Sequence, residues 1–244
     1  MSHIAFEDRA VAFIDVLGFK ALVSTASTNR KAFAQLQNLV DRLASAIPTL
    51  DADVKRKRIV PKELIPKHIY ISDSIILSAP LSVTLQGWSH YSGLEIVVMR
   101  TIQLTHLLLK AGYLVRGGIA VGKVWHGNSN IVGPAYQEAH QLEVEGCEPR
   151  ITLSANAKKH WDESTRGSSR MCIEYDGELM VNGLHDYYIQ NRGAHDVSLV
   201  FKNYEAIVRK NVNSRTLPKN AIRKWRWFEQ YVRAEKDQSM ALPK

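Results

Sequence analysis

The sequence predicts an α+β fold whose core follows the order β-α-β-β-α-β, with a helical region after it. Short runs rich in β-branched and apolar residues alternate with longer segments in which apolar residues recur every three or four positions. The chain has 244 residues, of which 45% are hydrophobic, and this is enough for one substantial core. Because the sequence contains no internal repeat and no low-complexity linker, we expect one compact domain with a C-terminal appendage.

The first strand and helix are predicted in the N-terminal segment. Val11 to Val16 is a short apolar run interrupted by one acid, which is typical of a buried central strand. From about Thr28 to Ile47 the apolar residues recur at helical spacing. We expect Pro48 to end this helix, since proline inside a helix removes a hydrogen bond and clashes with the preceding turn.

A charged segment and a hairpin come next. The segment from Lys55 to Pro66 is predicted to be a loop, because it is basic and bounded by prolines. The following residues, HIYISDSIILSA at 68–79, alternate around Asp73 and are rich in β-branched side chains. They predict a pair of strands that turns near Ser72 to Ser74.

The rest of the core is predicted from four further segments. Leu94 to Lys110 has the pattern of an amphipathic helix, and Gly112 stands where a C-terminal cap is expected. Tyr113 to Gly122 is predicted to be a strand whose glycines allow another backbone to approach closely. Ala135 to Val144 is predicted to be helical, and Arg150 to Ser154 a strand. This order is the split arrangement of ferredoxin-like and palm folds.

The pattern weakens from about residue 166, where short strands alternate with polar turns at 166–170 and 190–196. Leu199 to Lys236 is predicted to be helical with a break near Pro218. We therefore place a catalytic domain at residues 1–195 and a helical extension, packed on the same domain, at 196–244.

Composition restricts the classes of function. No run of eighteen apolar residues occurs, and the segment MSHIAFEDRA lacks the apolar run of a signal peptide, so a cytoplasmic protein without membrane contact is expected. Cys147 and Cys172 are too few for a disulfide framework and are predicted to be reduced thiols. The net charge of +8 suits phosphate-bearing partners. Nucleic acid remains an alternative for the basic tail, but we expect a nucleotide.

Two aspartates stand at the predicted ends of strands. Asp15 lies at the end of the first strand, and Asp73 lies at the hairpin turn. In a β-α-β-β unit the first strand runs beside the hairpin, so we expect the two side chains to lie close together. Carboxylate oxygens on rigid elements suit Mg²⁺ or Mn²⁺ in phosphoryl chemistry. Aspartates at such places also cap helices or form turns, and the two acids alone leave both roles open.

Five blocks, in order over roughly residues 11–156, resemble the class III nucleotidyl cyclases. FIDVLGF at 13–19 resembles the opening signature of the family, with the first metal aspartate at Asp15. ISDS at 71–74 is similar to the block of the second metal aspartate, with Ser72 in place of the usual glycine. Three more blocks resemble the glycine-containing strand, the catalytic helix and the strand that follows it: RGGIAVG at 116–122, GPAYQEAHQLE at 133–143 and RITLS at 150–154.

The resemblance implies a two-metal cyclase. Asp15 and Asp73, with the main-chain carbonyl of Val16, would hold two Mg²⁺ or Mn²⁺ ions. The main-chain amides of the following turn would bind the β- and γ-phosphates of a nucleoside triphosphate; they belong to Leu17, Gly18 and Phe19. The family builds each site across a head-to-tail dimer, so the resemblance also implies a homodimer.

Several positions depart from the family pattern. The adenine-reading lysine and aspartate of related adenylate cyclases correspond to Ile69 and Asn130, and the asparagine and arginine of the catalytic helix correspond to Gln137 and Gln141. Because Gln141 is neutral, it cannot offer an arginine's charge to the transition state. Either another cation supplies that charge or the site is slow or inactive. The candidate cations are Arg116, Arg150 and Lys20.

With these departures the sequence resembles one subgroup of the family, the compact bacterial pyrimidine cyclases of Pycsar anti-phage systems. That resemblance implies UTP or CTP as substrate, cUMP or cCMP as product, and a downstream effector that senses the product.

Tyr70 is a candidate to fill the space left by a small base, or else a strand residue packed on the helices. Asn130 donates and accepts whereas Arg116 only donates, which favours uracil and hence UTP. The alternative is a catalytically silent nucleotide-binding module with the cyclase fold.

Overall fold

The computed structural model describes residues 4–57, 61–82, 92–164, 166–185 and 197–241. One mixed sheet forms its centre, with the strand order β2-β3-β1-β4-β6-β8-β7. The strands are β1 (Glu7–Val16), β2 (Lys67–Ile71), β3 (Ser74–Pro80), β4 (Val115–His126), β5 (Ile131–Val132), β6 (Ile151–Leu153), β7 (Cys172–Tyr175) and β8 (Glu178–Val181). β5 pairs with β4 outside this path, and all neighbours are antiparallel except the parallel pair β4 and β6.

Seven α-helices accompany the sheet in the described ranges. They are α1 (Phe19–Ala26), α2 (Arg30–Lys57), α3 (Gly93–Lys110), α4 (Pro134–Glu145), α5 (Ala155–Asp162), α6 (Val197–Val212) and α7 (Lys219–Ala241). α3 begins with a full capping box, in which Ser92 and Glu95 satisfy each other's main-chain N–H groups. No helix within these ranges has the length and hydropathy needed to span a bilayer.

The two faces of the sheet belong to different clusters of buried residues. The main cluster takes alternate residues of β1, such as Ile14 and Val16, and packs them on α2 and α3. The opposite face carries Val11 and Phe13 and is covered by α4. This alternation follows from the two-residue period of a strand. It puts Asp15 on the face that α4 covers.

A third cluster joins the C-terminal helices to the sheet. Trp225, Phe228 and Tyr231 of α7 are almost fully buried, together with Phe201 and Tyr204 of α6. They pack on residues of the central fold, which are Leu109, Leu114, Met180 and Leu184. The aromatic residues of the tail are therefore packing residues.

The predicted strands and helices of the core are present, and so are the two C-terminal helices with their break near Pro218. The end of α2 at Pro48 was predicted wrongly, because the helix continues to Lys57. Packing on both sides of Pro48 compensates for the lost hydrogen bond: Ile47 and Leu50 are buried in the main cluster. One turn further on, Asp51 accepts a hydrogen bond of 2.7 Å from Arg100.

Three further predictions concerned the loop that begins at Lys55, the turn at 190–196 and the two cysteines. The predicted loop from Lys55 is helical as far as Lys57, and a short 3₁₀ helix follows at Lys62–Leu64. The predicted turn at 190–196 and the boundary between 195 and 196 lie outside the described residues. Both cysteines fall within the described ranges and neither forms a disulfide: Cys147 is exposed and Cys172 is buried.

Candidate active site

The two aspartates meet at one edge of the sheet, as predicted. In the register of the sheet Asp15 lies opposite Ser74 on one side and Arg116 on the other. Asp73 stands in the tight turn between β2 and β3, and its carbonyl accepts a hydrogen bond of 3.1 Å from the Val16 N–H. Ser72, which precedes Asp73 in this turn, has a left-handed backbone with φ of 59°. The turn therefore places the Asp73 side chain beside Asp15.

The Asp15 carboxyl group is partly buried and lies close to two other carboxyl groups, those of Asp73 and Glu143. Burial, followed by the charges of Asp73 and Glu143, raises the pKa of Asp15 from 3.8 to about 7, and Arg116 partly opposes this rise. A hydrogen bond between the Asp15 and Asp73 side chains contributes in the same direction. The cause is that two carboxylates brought together in a partly buried site resist carrying two negative charges.

Arg116 links the acids to α4. Its guanidinium lies 3.9 Å from the Asp15 carboxylate, forms an ion pair with Glu143, and donates a hydrogen bond of 2.9 Å to the Gly146 carbonyl. Its Nε is buried and makes no hydrogen bond within the part of the chain described. The side chain is 24% exposed, so this cation remains accessible from the site.

Glu143 was not assigned a role from the sequence. It is buried on the face of α4 that packs on the sheet, with Ala139 one turn and Ala135 two turns before it. The signal was present, because an acid at a buried helical position needs a cationic partner. Which arginine would pair with it depends on how α4 lies on β4, and the sequence alone does not give that.

α4 runs antiparallel to β4 and lies very close to it. A Cβ atom on Gly118 would be 2.4 Å from the Leu142 Cβ and 2.5 Å from the Ala139 carbonyl oxygen. The close backbone approach predicted for this glycine-containing strand is therefore present. It holds the end of α4, with Glu143, against Arg116.

The turn after β1 is only partly available to a phosphate. The Leu17 N–H already donates to the Leu114 carbonyl at 2.9 Å, so it is engaged within the fold. Gly18 is exposed with φ of 90° and precedes the first turn of α1, which begins at Phe19. The first N–H groups of a helix have no partner inside the helix. An anion at this turn would therefore meet the amides from Gly18 onward.

Ile69 and Tyr70 lie on opposite faces of β2. Ile69 is 8% exposed and packs in the cluster beneath α4, on the same face as Asp15. Tyr70 packs against the main cluster on the other face. Burial and the Asp73 charge raise the pKa of the Tyr70 phenol. Tyr70 thus combines a packing role with a hydroxyl group close to the second aspartate.

The other three predicted residues lie apart from the acids of the same chain. Asn130 is exposed in the turn between β4 and β5, at the far end of β4 from Arg116. At the rise of an extended strand that separation is about 30 Å. Gln137 and Gln141 are exposed on the outer face of α4, and the Gln141 amide donates to Glu145 at 2.6 Å.

The other candidate cations differ in their surroundings. Arg150 is engaged in two ion pairs, with Asp176 at 3.4 Å and Glu178 at 3.2 Å. Lys20 is exposed in the first turn of α1, close in sequence to the turn after β1. Arg116 is the candidate that lies directly beside Asp15.

The acid pair suits a magnesium-type ion. Among the described residues no group of three or more histidine, cysteine, aspartate or glutamate side chains is arranged around a common point. Mg²⁺ is usually held by one or two carboxylates and completes its shell with water and phosphate oxygens. A cation between the two carboxylates would relieve the mutual repulsion that raises the pKa of Asp15.

The fold matches solved structures of class III cyclase catalytic domains. The catalytic core of a rhodopsin-guanylyl cyclase with converted specificity, solved in complex with ATPαS, aligns with a TM-score of 0.50 and 16% identity, over 74% of this chain and 98% of that chain. The guanylyl cyclase Cya2 aligns with a TM-score of 0.46 and 11% identity, over 74% and 93% of the two chains. A class III adenylyl cyclase-like ATP-binding protein from Pseudomonas aeruginosa aligns with a TM-score of 0.43 and 13% identity, over 68% and 36%.

No protein-family profile matches the sequence, and no curated protein matches it either. At these levels of identity the structural likeness establishes the fold. The predicted α+β, palm-type fold of class III cyclase catalytic domains is therefore confirmed.

Proposed function

We propose that this chain is a metal-dependent nucleotidyl cyclase that converts a nucleoside triphosphate to its 3′,5′-cyclic monophosphate and pyrophosphate. The observation that carries the proposal is the pair Asp15 and Asp73, brought together from different strands at one edge of a cyclase-type fold. The structural neighbour that binds ATPαS supports a nucleotide as ligand.

Asp15 and Asp73, with the Val16 carbonyl, are the residues that would hold Mg²⁺ or Mn²⁺. The bound ions would lower the pKa of the ribose 3′-hydroxyl and neutralise the triphosphate. Deprotonated Asp15 is required for this, and its raised pKa makes that state sensitive to pH near neutrality. Arg116, beside Asp15, would stabilise negative charge on the phosphates during attack at the α-phosphorus.

The exposed N-terminal turn of α1 is the second phosphate-binding element in the proposal. Gly18 and Phe19 would offer main-chain N–H groups to the β- and γ-phosphates, and the positive end of the helix dipole would add to the attraction. Because the Leu17 N–H is engaged by Leu114, that residue would instead hold the turn in place.

A homodimer is part of the proposal. Asn130, Gln137 and Gln141 are exposed and point away from the acids of their own chain. A second copy in head-to-tail contact would bring them to those acids, and each dimer would then contain two equivalent sites. The separation of the two groups of residues within one chain supports this arrangement.

We propose a pyrimidine as the base, with UTP preferred to CTP. Ile69 lacks the hydrogen-bonding groups of the lysine that reads adenine, and Asn130 replaces the aspartate. A purine edge left unpaired in a buried site costs about 1 to 3 kcal/mol. With the resemblance to pyrimidine cyclases, this supports a cytoplasmic enzyme whose cUMP or cCMP acts as a second messenger, through an effector, in anti-phage defence.

Product analysis tests the reaction and the base together. The purified protein is incubated with equimolar ATP, GTP, UTP and CTP and with Mn²⁺, and the cyclic products are resolved. We expect cUMP to predominate, with one pyrophosphate released for each cyclic product. Predominant cAMP or cGMP would overturn the pyrimidine assignment, whereas cCMP would overturn only the preference for UTP.

The second candidate is a nucleotide-binding module without turnover. It is favoured by one observation: Gln141 is neutral and its amide is already hydrogen-bonded to Glu145. Such a module would bind the triphosphate with metal and release no pyrophosphate. Nucleotide binding without any cyclic product in the four-nucleotide assay would select this candidate.

A further inference from the structure

Helix α7 is fixed against the loop that connects α4 to β6. Arg223, in the first turns of α7, forms an ion pair with Glu148 of that loop. One turn later the Trp227 ring lies 6.0 Å from the guanidinium of Arg150, and its Nε1 donates to Asp176 at 3.3 Å. These contacts and the burial of Trp225 set the rotation of this part of the helix.

The same loop is also held from the side of the acid pair. Arg116 donates to the carbonyl of Gly146, two residues before Glu148, while its other end lies beside Asp15 and Glu143. The loop is thus contacted by Arg116 on one side and by Arg223 on the other. The start of α7 is therefore brought next to the cationic part of the candidate active site.

Lys224 is the residue of α7 that lies in this region. It is half-buried, and its electrostatic neighbours are Arg116, Arg223, Glu148 and Cys147. Burial and the two neighbouring guanidinium groups lower the pKa of Lys224, and Glu148 opposes this only in part. An Oε1 atom of Glu148 is already engaged by Arg223. Within the described residues Lys224 forms no ion pair of its own.

Of the three cations around this loop, Arg116 pairs with Glu143 and Arg223 pairs with Glu148, so within the described residues the positive charge without a pairing carboxylate is that of Lys224. The burial of Trp225 and Phe228 on the same helix prevents Lys224 from rotating away. The long apolar stem of a lysine can be covered while its ammonium group reaches an open site. Because Arg116 and the start of α7 contact the same loop, an anion bound by Arg116 would lie near Lys224.

We propose that Lys224, together with Arg116, binds the terminal phosphates of the substrate and the pyrophosphate product. It would supply, from the C-terminal helix of the same chain, part of the positive charge that neutral Gln141 does not provide. The inference rests on the proposed function for the identity of the substrate. The existence of a polyphosphate-binding site that includes Lys224 can be tested by measuring pyrophosphate binding alone.

The test uses the full chain with Mn²⁺ and inorganic pyrophosphate as the probe, measured by titration calorimetry. Lys224→Gln is expected to weaken pyrophosphate binding roughly tenfold or more, because a charge-assisted contact is lost. Lys219→Gln is the matched control, since Lys219 is exposed on the same helix and loses the same charge. Lys224→Arg is expected to retain binding, and Lys224→Met keeps the apolar stem if the glutamine variant is unstable.

The outcomes separate this inference from the proposed function. If the wild type makes a cyclic product and Lys224→Gln binds pyrophosphate as the wild type does, the inference is overturned and the cyclase stands. If the wild type makes no cyclic product but pyrophosphate binding depends on Lys224, the cyclase fails and the inference stands. Absence of pyrophosphate binding by the wild type, or an equal loss in Lys219→Gln, also overturns the inference.

Discussion

At the scale of single residues, the balance of charge around Asp15 dominates the site. Asp73 and Glu143 disfavour its ionisation, while Arg116 is shared between Asp15 and Glu143. Glu143 takes the closer contact with Arg116, so Asp15 is left with incomplete compensation. Without metal, the site therefore lowers the stability of the protein at any pH where Asp15 is ionised.

Asp15→Asn should consequently raise the melting temperature of the metal-free protein in alkaline buffer. The pKa of Asp15 in the folded protein, about 7, exceeds its ordinary value of 3.8. The protonated side chain therefore contributes to the free energy of unfolding, and this contribution is fully present below about pH 4 and is lost as pH rises through 7. We expect the variant to exceed the wild type at about pH 8 and to match it more closely at about pH 5. Asp8→Asn, at an exposed ion pair with Lys123, is the control. A variant less stable than wild type at pH 8 would contradict this account.

Asp73→Asn should abolish cyclic product while leaving the fold intact, because it removes one of the two proposed metal carboxylates without changing the side-chain volume. Mn²⁺ should raise the melting temperature of the wild type and of Asp8→Asn, but have little effect on Asp73→Asn. Product formation by Asp73→Asn above about a tenth of wild type would refute the two-metal assignment. A simple turn residue would cost only a fraction of a kcal/mol when replaced.

The sequence was sufficient to predict that Asp15 and Asp73 meet, because strand order alone determines it. It was insufficient for Glu143 and Lys224, since their positions depend on the rotation and tilt of α4 and α7. Those quantities arise from tertiary packing, such as the approach of Leu142 to Gly118. The engagement of the Leu17 amide depends likewise on a distant carbonyl, that of Leu114.

At the scale of elements, local rules predicted the type of each helix and strand better than its end. Proline chemistry predicts that α2 ends at Pro48. The helix continues instead, because the residues after Pro48 have tertiary partners: Leu50 packs in the main cluster and Asp51 binds Arg100. α1 was not predicted as a separate helix. Its eight residues leave only Ala26 buried, and so short a segment shows little periodicity.

The contact between α4 and β4 gives a prediction at this scale. Gly118→Ala should destabilise the protein by about 1 to 3 kcal/mol, because the new methyl group overlaps Leu142 and the Ala139 carbonyl. Gly122→Ala, on the same strand, meets only the Ala135 Cβ at 3.7 Å, which is an ordinary contact. Chemical denaturation of both variants provides the comparison.

Equal stability of the two alanine variants would show that α4 adjusts freely on the sheet. In that case Glu143 would not be held firmly against Arg116. We expect instead that Gly118→Ala also loses activity, since displacement of α4 moves Glu143 and the exposed glutamines together.

At the scale of the whole molecule, the separation of the predicted site residues within one chain is the basis of the proposed dimer. The acid pair and Arg116 occupy one end of β4, whereas Asn130 occupies the other. In the proposed dimer each chain would therefore contribute two half-sites. The proposed head-to-tail dimer joins each half-site to its complement.

Mixing two inactive variants should then restore activity. One partner carries Asp15→Ala, and the other carries Gln137→Ala with Gln141→Ala. In a mixed dimer one active site has both defects and the other has none, and half of the dimers in an equal mixture are mixed, so activity should reach about a quarter of wild type. Product formation after mixing, compared with each variant alone, measures this.

Restoration requires that mixed dimers form, which differently tagged chains can demonstrate by co-purification. No recovery of activity in demonstrated mixed dimers would place each complete site within one chain. It would then follow that Gln137 and Gln141 act, if at all, on the acids of their own protomer.

The third cluster has a consequence for how the protein is made. Leu17, two residues after Asp15, packs on a cluster that includes Trp225 of α7, roughly two hundred residues later. At ribosomal speeds of about 5 to 20 residues per second, the two segments emerge roughly ten to forty seconds apart. A nascent chain that stops before residue 219 has both aspartates but lacks Lys224 and the aromatic residues that support the turn. Incomplete translation products should therefore form no cyclic product, and the proposed cyclase activity should arise only when synthesis has passed α7.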